Sequence, residues 1–161
     1  MSGIGFDFLE KLRDNGVQIT RKINEVTFNV MAEIIERADE YSPVGMPETW
    51  TYKAPKDYRP GQFRGNWQLG VNKRPEGAFI GKIDAAGVTT VAENLALIPE
   101  RAAYGNLYYL VNNLPYAKAI EDGDATRQVP PSGIVGRIHM EFPDIVAKVI
   151  GDIKSNGGRV R

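Results

Sequence analysis

Apolar side chains recur every three or four residues at Ile19, Ile23, Val26, Val30, Ile34 and Ala38, with Arg21, Lys22, Glu25, Glu33, Glu36 and Arg37 between them. That is the period of one helical face. The pattern predicts a main helix from Val17 to Tyr41, about 37 Å long at 1.5 Å per residue. Ser42-Pro43 stops it, because proline disfavours helical geometry in the residue before it. Gly16 reads as a break between this helix and a short leading one over Phe6 to Arg13, and Thr20 is a candidate cap for an internal start. A helix this long either crosses the sheet or projects and packs on a neighbouring copy.

Beyond Pro43 the pattern changes. Pro43, Gly45, Pro47, Pro55, Pro60 and Gly61 punctuate residues 43 to 61, an inserted loop or hairpin, with Thr49 to Lys53 as a short alternating arm. Phe63 to Val71 alternates and predicts a strand with Trp67, Leu69 and Val71 on its buried side. After a turn at Asn72 to Gly77, Ala78 to Ile83 predicts a returning strand. Val88, Val91, Leu95 and Ile98 have helical spacing, ended by Pro99. A further strand spans Asn106 to Val111 and breaks at Asn112-Asn113 before Pro115, which lacks a backbone donor. Tyr116 to Ile120 forms a helical turn or two, closed by Gly123 in a C-capping role. Ile134, Ile138, Phe142, Ile145, Val146, Val149, Ile150 and Ile153 fit one face of a final helix, with Pro143 forcing a kink or a restart. Residues 155 to 161 read as a mobile, basic tail.

These elements predict an α+β fold as one domain over residues 1–161: a long N-terminal helix, a small, mostly antiparallel sheet with helices packed on one face, and a C-terminal helix.

Composition narrows the chemistry. The chain has 161 residues, with 20 basic and 20 acidic side chains that cancel. Zero net charge gives no support for bulk electrostatic binding to nucleic acid and little resistance to contact between copies. No cysteine is present, which excludes disulfides, thiolate chemistry and cysteine-based zinc sites. No stretch approaches the roughly 20 apolar residues of a membrane span, and the start lacks a signal-peptide pattern. A soluble protein made in the cytoplasm is expected.

Few residues invite catalysis. His139, the sole histidine, lies near Arg137, Glu141 and Asp144 on one helix, without the partner and pocket a general base needs. Glu121, Asp122 and Asp124 cluster as a hard cation site would, yet lack a full calcium-loop ligand series. With His139 they would make a small hydrolase, the weakest reading. No cofactor, metal or catalytic residue is expected. Gly3-Ile-Gly5 and Gly157-Gly158 lack the strand-loop-helix context of a phosphate cradle. Arg59, Arg64, Lys73, Arg74 and Lys82 interleave with Phe63 and Trp67, a pattern that would let a basic aromatic hairpin engage a phosphate backbone and stack on bases. A small nucleic-acid-binding module is therefore the alternative reading.

The order of motifs carries a resemblance. Asn112-Asn-Leu-Pro-Tyr-Ala-Lys118, then Ile120-Glu-Asp-Gly123, then Val129-Pro-Pro-Ser-Gly133 opening the last helix, resembles the tail-completion and head–tail joining (neck) proteins of tailed bacteriophages. Ser42-Pro-Val44 and, after an insertion, Gly61-Gln-Phe-Arg-Gly-Asn-Trp67 extend the likeness across most of residues 19 to 150. The resemblance implies a noncatalytic virion protein that forms a homo-oligomeric ring of six copies at the head–tail junction. Its implied partners are neighbouring neck, connector and tail-tube proteins, and genomic DNA passing through the lumen without sequence specificity. It implies motif or interface roles for Arg64, Gly65, Asn66, Trp67, Asn112, Asn113, Pro115, Tyr116, Glu121, Gly123, Pro130 and Pro131. Arg59, Lys73, Arg74, Lys82, Arg159 and Arg161 are the candidates for DNA or lumen contacts. Assembly is expected to order the 43–61 loop and the termini against neighbours.

Overall fold

The structure, a computed structural model, describes residues 4–56 and 58–155. The fold is α+β. Helix α1 runs from Ile4 to Glu40, 37 residues without interruption, so the expected break at Gly16 does not occur. Nothing lies near Gly16, and the Thr20 hydroxyl donates back to the Gly16 carbonyl instead of capping a new start. An interior glycine costs a helix about 1 kcal/mol against alanine, which the continuous hydrogen-bond ladder on either side absorbs. At 1.5 Å per residue α1 is about 55 Å long.

The sheet has two antiparallel strands, β1 (Trp67–Val71) and β2 (Tyr108–Asn112), in register from Trp67↔Asn112 to Val71↔Tyr108. Two expected strand segments are corrected. Arg64–Asn66 winds into a 3₁₀ turn ahead of β1. Ala78 to Ile83 forms no strand, and Phe79, Ile80 and Ile83 stay exposed. The reason is edge occupancy. Asn94, from helix α2 (Val88–Leu95), accepts from the Leu69 amide at 2.8 Å and donates to the Trp67 carbonyl at 3.0 Å. One carboxamide thus takes the ladder positions that a returning strand would need. On α2 the expected apolar face is also revised: Val88 is exposed, while Thr90 and Asn94 are buried.

Helix α3 (Ala117–Glu121) ends as expected at Gly123, whose φ of +75° suits glycine. Helix α4 (Ile134–Ser155) passes through Pro143 without a restart. Its buried face is Ile134, Ile138, Ile145 and Val149, whereas Phe142 is largely exposed. The tail after Ser155, with Arg159 and Arg161, lies outside the described residues.

Two apolar clusters hold these elements. The larger gathers Val30, Ala38, Trp50, Phe63, Trp67, Leu114, Ile120, Ile134, Ile145 and Val149; the smaller gathers Ile35, Leu69, Ile98 and Ala103, and Leu110 of β2 packs against both. Helix α1 is anchored to α4 by ion pairs: Arg37 reaches Glu141, and Lys148 reaches Glu33. These pairs run in opposite sequence order, so the two helices cross antiparallel.

The 43–61 segment, expected as an inserted loop or hairpin, is a loop. Pro47–Thr49 is a 3₁₀ turn, and Trp50 bridges to Thr126, with the Thr51 amide donating to Ala125 and the Arg127 amide to Thr49. Trp50 is buried against Tyr58 and Tyr116, ring centroids 4.8 and 5.7 Å away. Edge-on aromatic contacts of this kind fix a loop without regular structure. The loop is therefore folded onto its own chain, and a neighbour is not needed to order it.

Candidate assembly surface

The motif residues fall into two structural knots. The first joins the segment before β1 to its surroundings. Asn66 is fully buried: its amide donates to the carbonyls of Gln62 and Phe79, and its oxygen accepts from the Phe79 amide. Asn66 thereby holds the 79–82 loop in the place of a strand. Gly65 is buried against the backbone at Lys82 and Asp84, where a Cβ would come within 3.0 Å of the Asp84 nitrogen. Trp67 is buried and its indole donates to the Ser42 hydroxyl at 2.7 Å. Arg64 donates to the carbonyls of Ser42 and Ala85, both at 2.9 Å, with its Nε 3.7 Å from Asp39. The guanidinium thus ties the end of α1 to the start of α2.

Electrostatics here is uneven. Burial pushes Asp39 up to about 6; Arg64 opposes this and the nearby Asp84 adds to it. Burial also works against ionised Asp84, but the amides of Thr90 and Gly87 donate to its carboxylate and hold it below the ordinary carboxylate value. Two carboxylates a few residues from one guanidinium therefore differ because only Asp84 has a set of backbone donors.

The second knot joins α3 to α4. Glu121 accepts from three consecutive backbone amides, those of Ile134, Val135 and Gly136, at 2.9, 2.9 and 3.2 Å. These are the orphan donors of the α4 N-terminus, where a carboxylate is favoured by both hydrogen bonding and the helix dipole. Gly133, at φ +70°, leaves room for that carboxylate, and Gly123 approaches Pro130 and Pro131 closely enough that a Cβ would collide. The remaining motif residues brace the same region. Asn112 donates to the Phe63 carbonyl and Asn113 to that of Pro75. Pro115 is exposed beside buried Leu114, and Tyr116 donates to Gln62 at 2.8 Å.

This geometry revises two chemical readings. Glu121 is committed to a helix terminus, Asp122 pairs with Lys118, and His139 is exposed on α4, so the hydrolase set does not converge. Among the described residues no group of three or more metal-ligating side chains is assembled. The basic aromatic hairpin does not form either. Phe63 and Trp67 are buried, and Lys82 pairs with Glu93, leaving Arg59, Lys73 and Arg74 as exposed cations without a stacking platform between them. No described helix is long and apolar enough to cross a membrane.

The motif residues, expected as interface candidates, therefore mostly face their own chain. What is left open is elsewhere. Asn24 marks a boundary on α1: its side chain donates to the Arg101 carbonyl and accepts from the Tyr104 amide. From Leu9 to Ile23 every residue of α1 is exposed, including Leu9, Leu12, Val17, Ile19 and Ile23. The first half of α1 is thus an exposed arm that carries five large apolar side chains among charged and polar ones. The second opening is β2, whose outer edge pairs with no described strand. The sequence left open a helix that crosses the sheet or one that projects, and placed its start at Val17; α1 reaches farther because Gly16 does not break it. Comparisons with protein-family models, curated proteins and solved structures find no match.

Proposed function

We propose that the chain is a structural protein of a tailed-phage virion, assembling as a ring at the head–tail junction in a tail-completion, terminator or neck-connector role. The observation that carries this reading is the bare apolar half of α1. A helix arm with Leu9, Leu12, Val17, Ile19 and Ile23 in water is an unmet contact surface, and large exposed apolar patches mark sites of association. The motif grammar supports it, since Glu121, Gly123 and Gly133 build a corner between α3 and α4 in which the Glu121 carboxylate is committed to the α4 amides. Cyclic copies with head-to-tail contacts close into a ring. The ring reading implies a hexamer assembled in the host cytoplasm, with neck and tail-tube proteins above and below. Genomic DNA would pass the exposed Arg59, Lys73 and Arg74 without sequence readout. Native mass measurement and negative-stain electron images of the purified protein test this: rings with an open lumen are expected. A species that stops at a two-fold dimer, with no further growth, overturns it.

A further inference from the structure

Three segments far apart in sequence meet around one open cleft of about 370 Å³, at the small end of the range for ligand pockets. Ser42, Pro43 and Val44 enter it from the end of α1, Arg64 from the turn before β1, and Pro130 and Gly133 from the approach to α4. Ser42, Pro43, Gly133 and Ile134 are buried and form its floor; Glu40, Gln128, Pro130 and Arg137 are exposed and form its rim. The α4 N-terminus adds no free donor here, because Glu121 already holds its amides.

The rim carries one cation in a fixed pose. The Arg137 guanidinium lies 3.6 Å from the centroid of the Tyr41 ring, and its Nε donates to Glu141 at 3.0 Å. Tyr41 is itself fixed, since its hydroxyl donates to Glu141 and accepts from Arg37. Stacking uses the flat face of a guanidinium and leaves its in-plane donors to other partners. Nε is spent on Glu141, and neither Nη has a hydrogen-bond partner among the described residues. The Gln128 carboxamide spends its oxygen on the Gly45 amide, which leaves its NH2 as a second rim donor. Arg64, tied to the Ser42 and Ala85 carbonyls, adds charge at the floor, so two guanidiniums line the cleft against the single carboxylate of Glu40.

We infer that this cleft binds the carboxylate side chain of an acidic segment on a partner polypeptide, gripped by the two Nη groups of Arg137 with Gln128 as the second donor. The reading of the chain as an assembly component supplies only the kind of partner. An arginine fork takes both oxygens of a planar carboxylate, and a fork already held in place loses little entropy on binding. Pro43, Val44 and Pro130 line the same cleft and give the aliphatic stem an apolar wall. One surplus positive charge matches one carboxylate, whereas a doubly charged phosphate would meet Glu40 with too little compensation.

The test titrates isotope-labelled, full-length protein with a capped alanine-glutamate-glutamate-alanine peptide, with the same peptide carrying glutamine, and with inorganic phosphate. The glutamate peptide is expected to move the amide signals of Val44, Gln128 and Gly133 saturably, and the glutamine peptide is not. Arg137→Gln is expected to weaken binding about tenfold or more with an unchanged circular dichroism spectrum. Arg59→Gln, at a cation that does not line the cleft, is expected to leave binding unchanged. Equal shifts from both peptides, no shift at all, or binding that survives Arg137→Gln overturns the inference. Phosphate that binds as tightly as the glutamate peptide and displaces it assigns the cleft to a free anion and overturns the polypeptide partner. The titration reads the cleft whether or not rings form: binding without rings removes the ring reading alone, and rings without binding remove this inference alone.

Discussion

The two halves of α1 share one helical ladder and live in different environments. From Asn24 to Glu40 the helix is gripped on several sides. Ile35 and Ala38 are buried, Arg37 and Glu33 pair with α4, and Asp39 lies beside Arg64. From Leu9 to Ile23 every residue is exposed, although its apolar side chains are as large. The difference shows that helix formation and burial are separate decisions. Propensity and the hydrogen-bond ladder carry the helix outward, while tertiary contacts give only the inner half its stability.

That contrast can be broken most strongly in the gripped half. Ile35→Ala, at a position 2% exposed, is expected to destabilise the protein by about 2–5 kcal/mol, read as a lowered urea midpoint. The next effect depends on pH. Asp39 binds its proton more tightly folded than unfolded, so its contribution to stability is complete below about pH 4 and is lost as pH rises through about 6. Asp39→Asn should therefore gain stability over the parent across that window, by roughly 2 kcal/mol at pH 8 by linkage. Urea titrations at several pH values check it; a difference that does not vary with pH contradicts the assignment. Glu121→Gln keeps the shape of the α4 cap and removes its charge. A loss of about 1 kcal/mol is expected, together with faster amide exchange at Ile134 to Gly136. The smallest effect belongs to the bare half. Ile19→Ala, in dilute protein held to a single chain, should change stability by less than about 0.5 kcal/mol. A loss comparable to that of Ile35→Ala would mean that the arm folds back on its own body.

Much of the frame was legible in the sequence. The spacing from Ile19 to Ala38 gave the helix, Ser42-Pro43 its end, and Gly123 the cap of α3, because each depends on local geometry. The readings that failed depended on what a neighbour supplied. Ala78 to Ile83 has strand composition, but Asn94 had taken its place along β1 and Asn66 held its carbonyls. A buried asparagine standing in for a strand has no periodic signature. Trp50 looked like part of a loose arm because its partners, Tyr58, Tyr116 and Thr126, are spread along the chain. The capping role of Glu121 was hidden for the same reason: its three donors lie more than ten residues away, at a helix start that the Pro130-Pro131-Ser-Gly133 run announces only in outline.

The Asn94 side chain has a consequence for growth of the sheet. By occupying the middle of β1, it leaves the two-stranded ribbon, among the described residues, with one margin that no strand pairs, on β2. Two molecules meeting margin to margin would satisfy each other completely and stop at a pair. Strand addition alone is therefore a terminating reaction for this protein, and any larger closed assembly must draw its continuity from a different part of the surface.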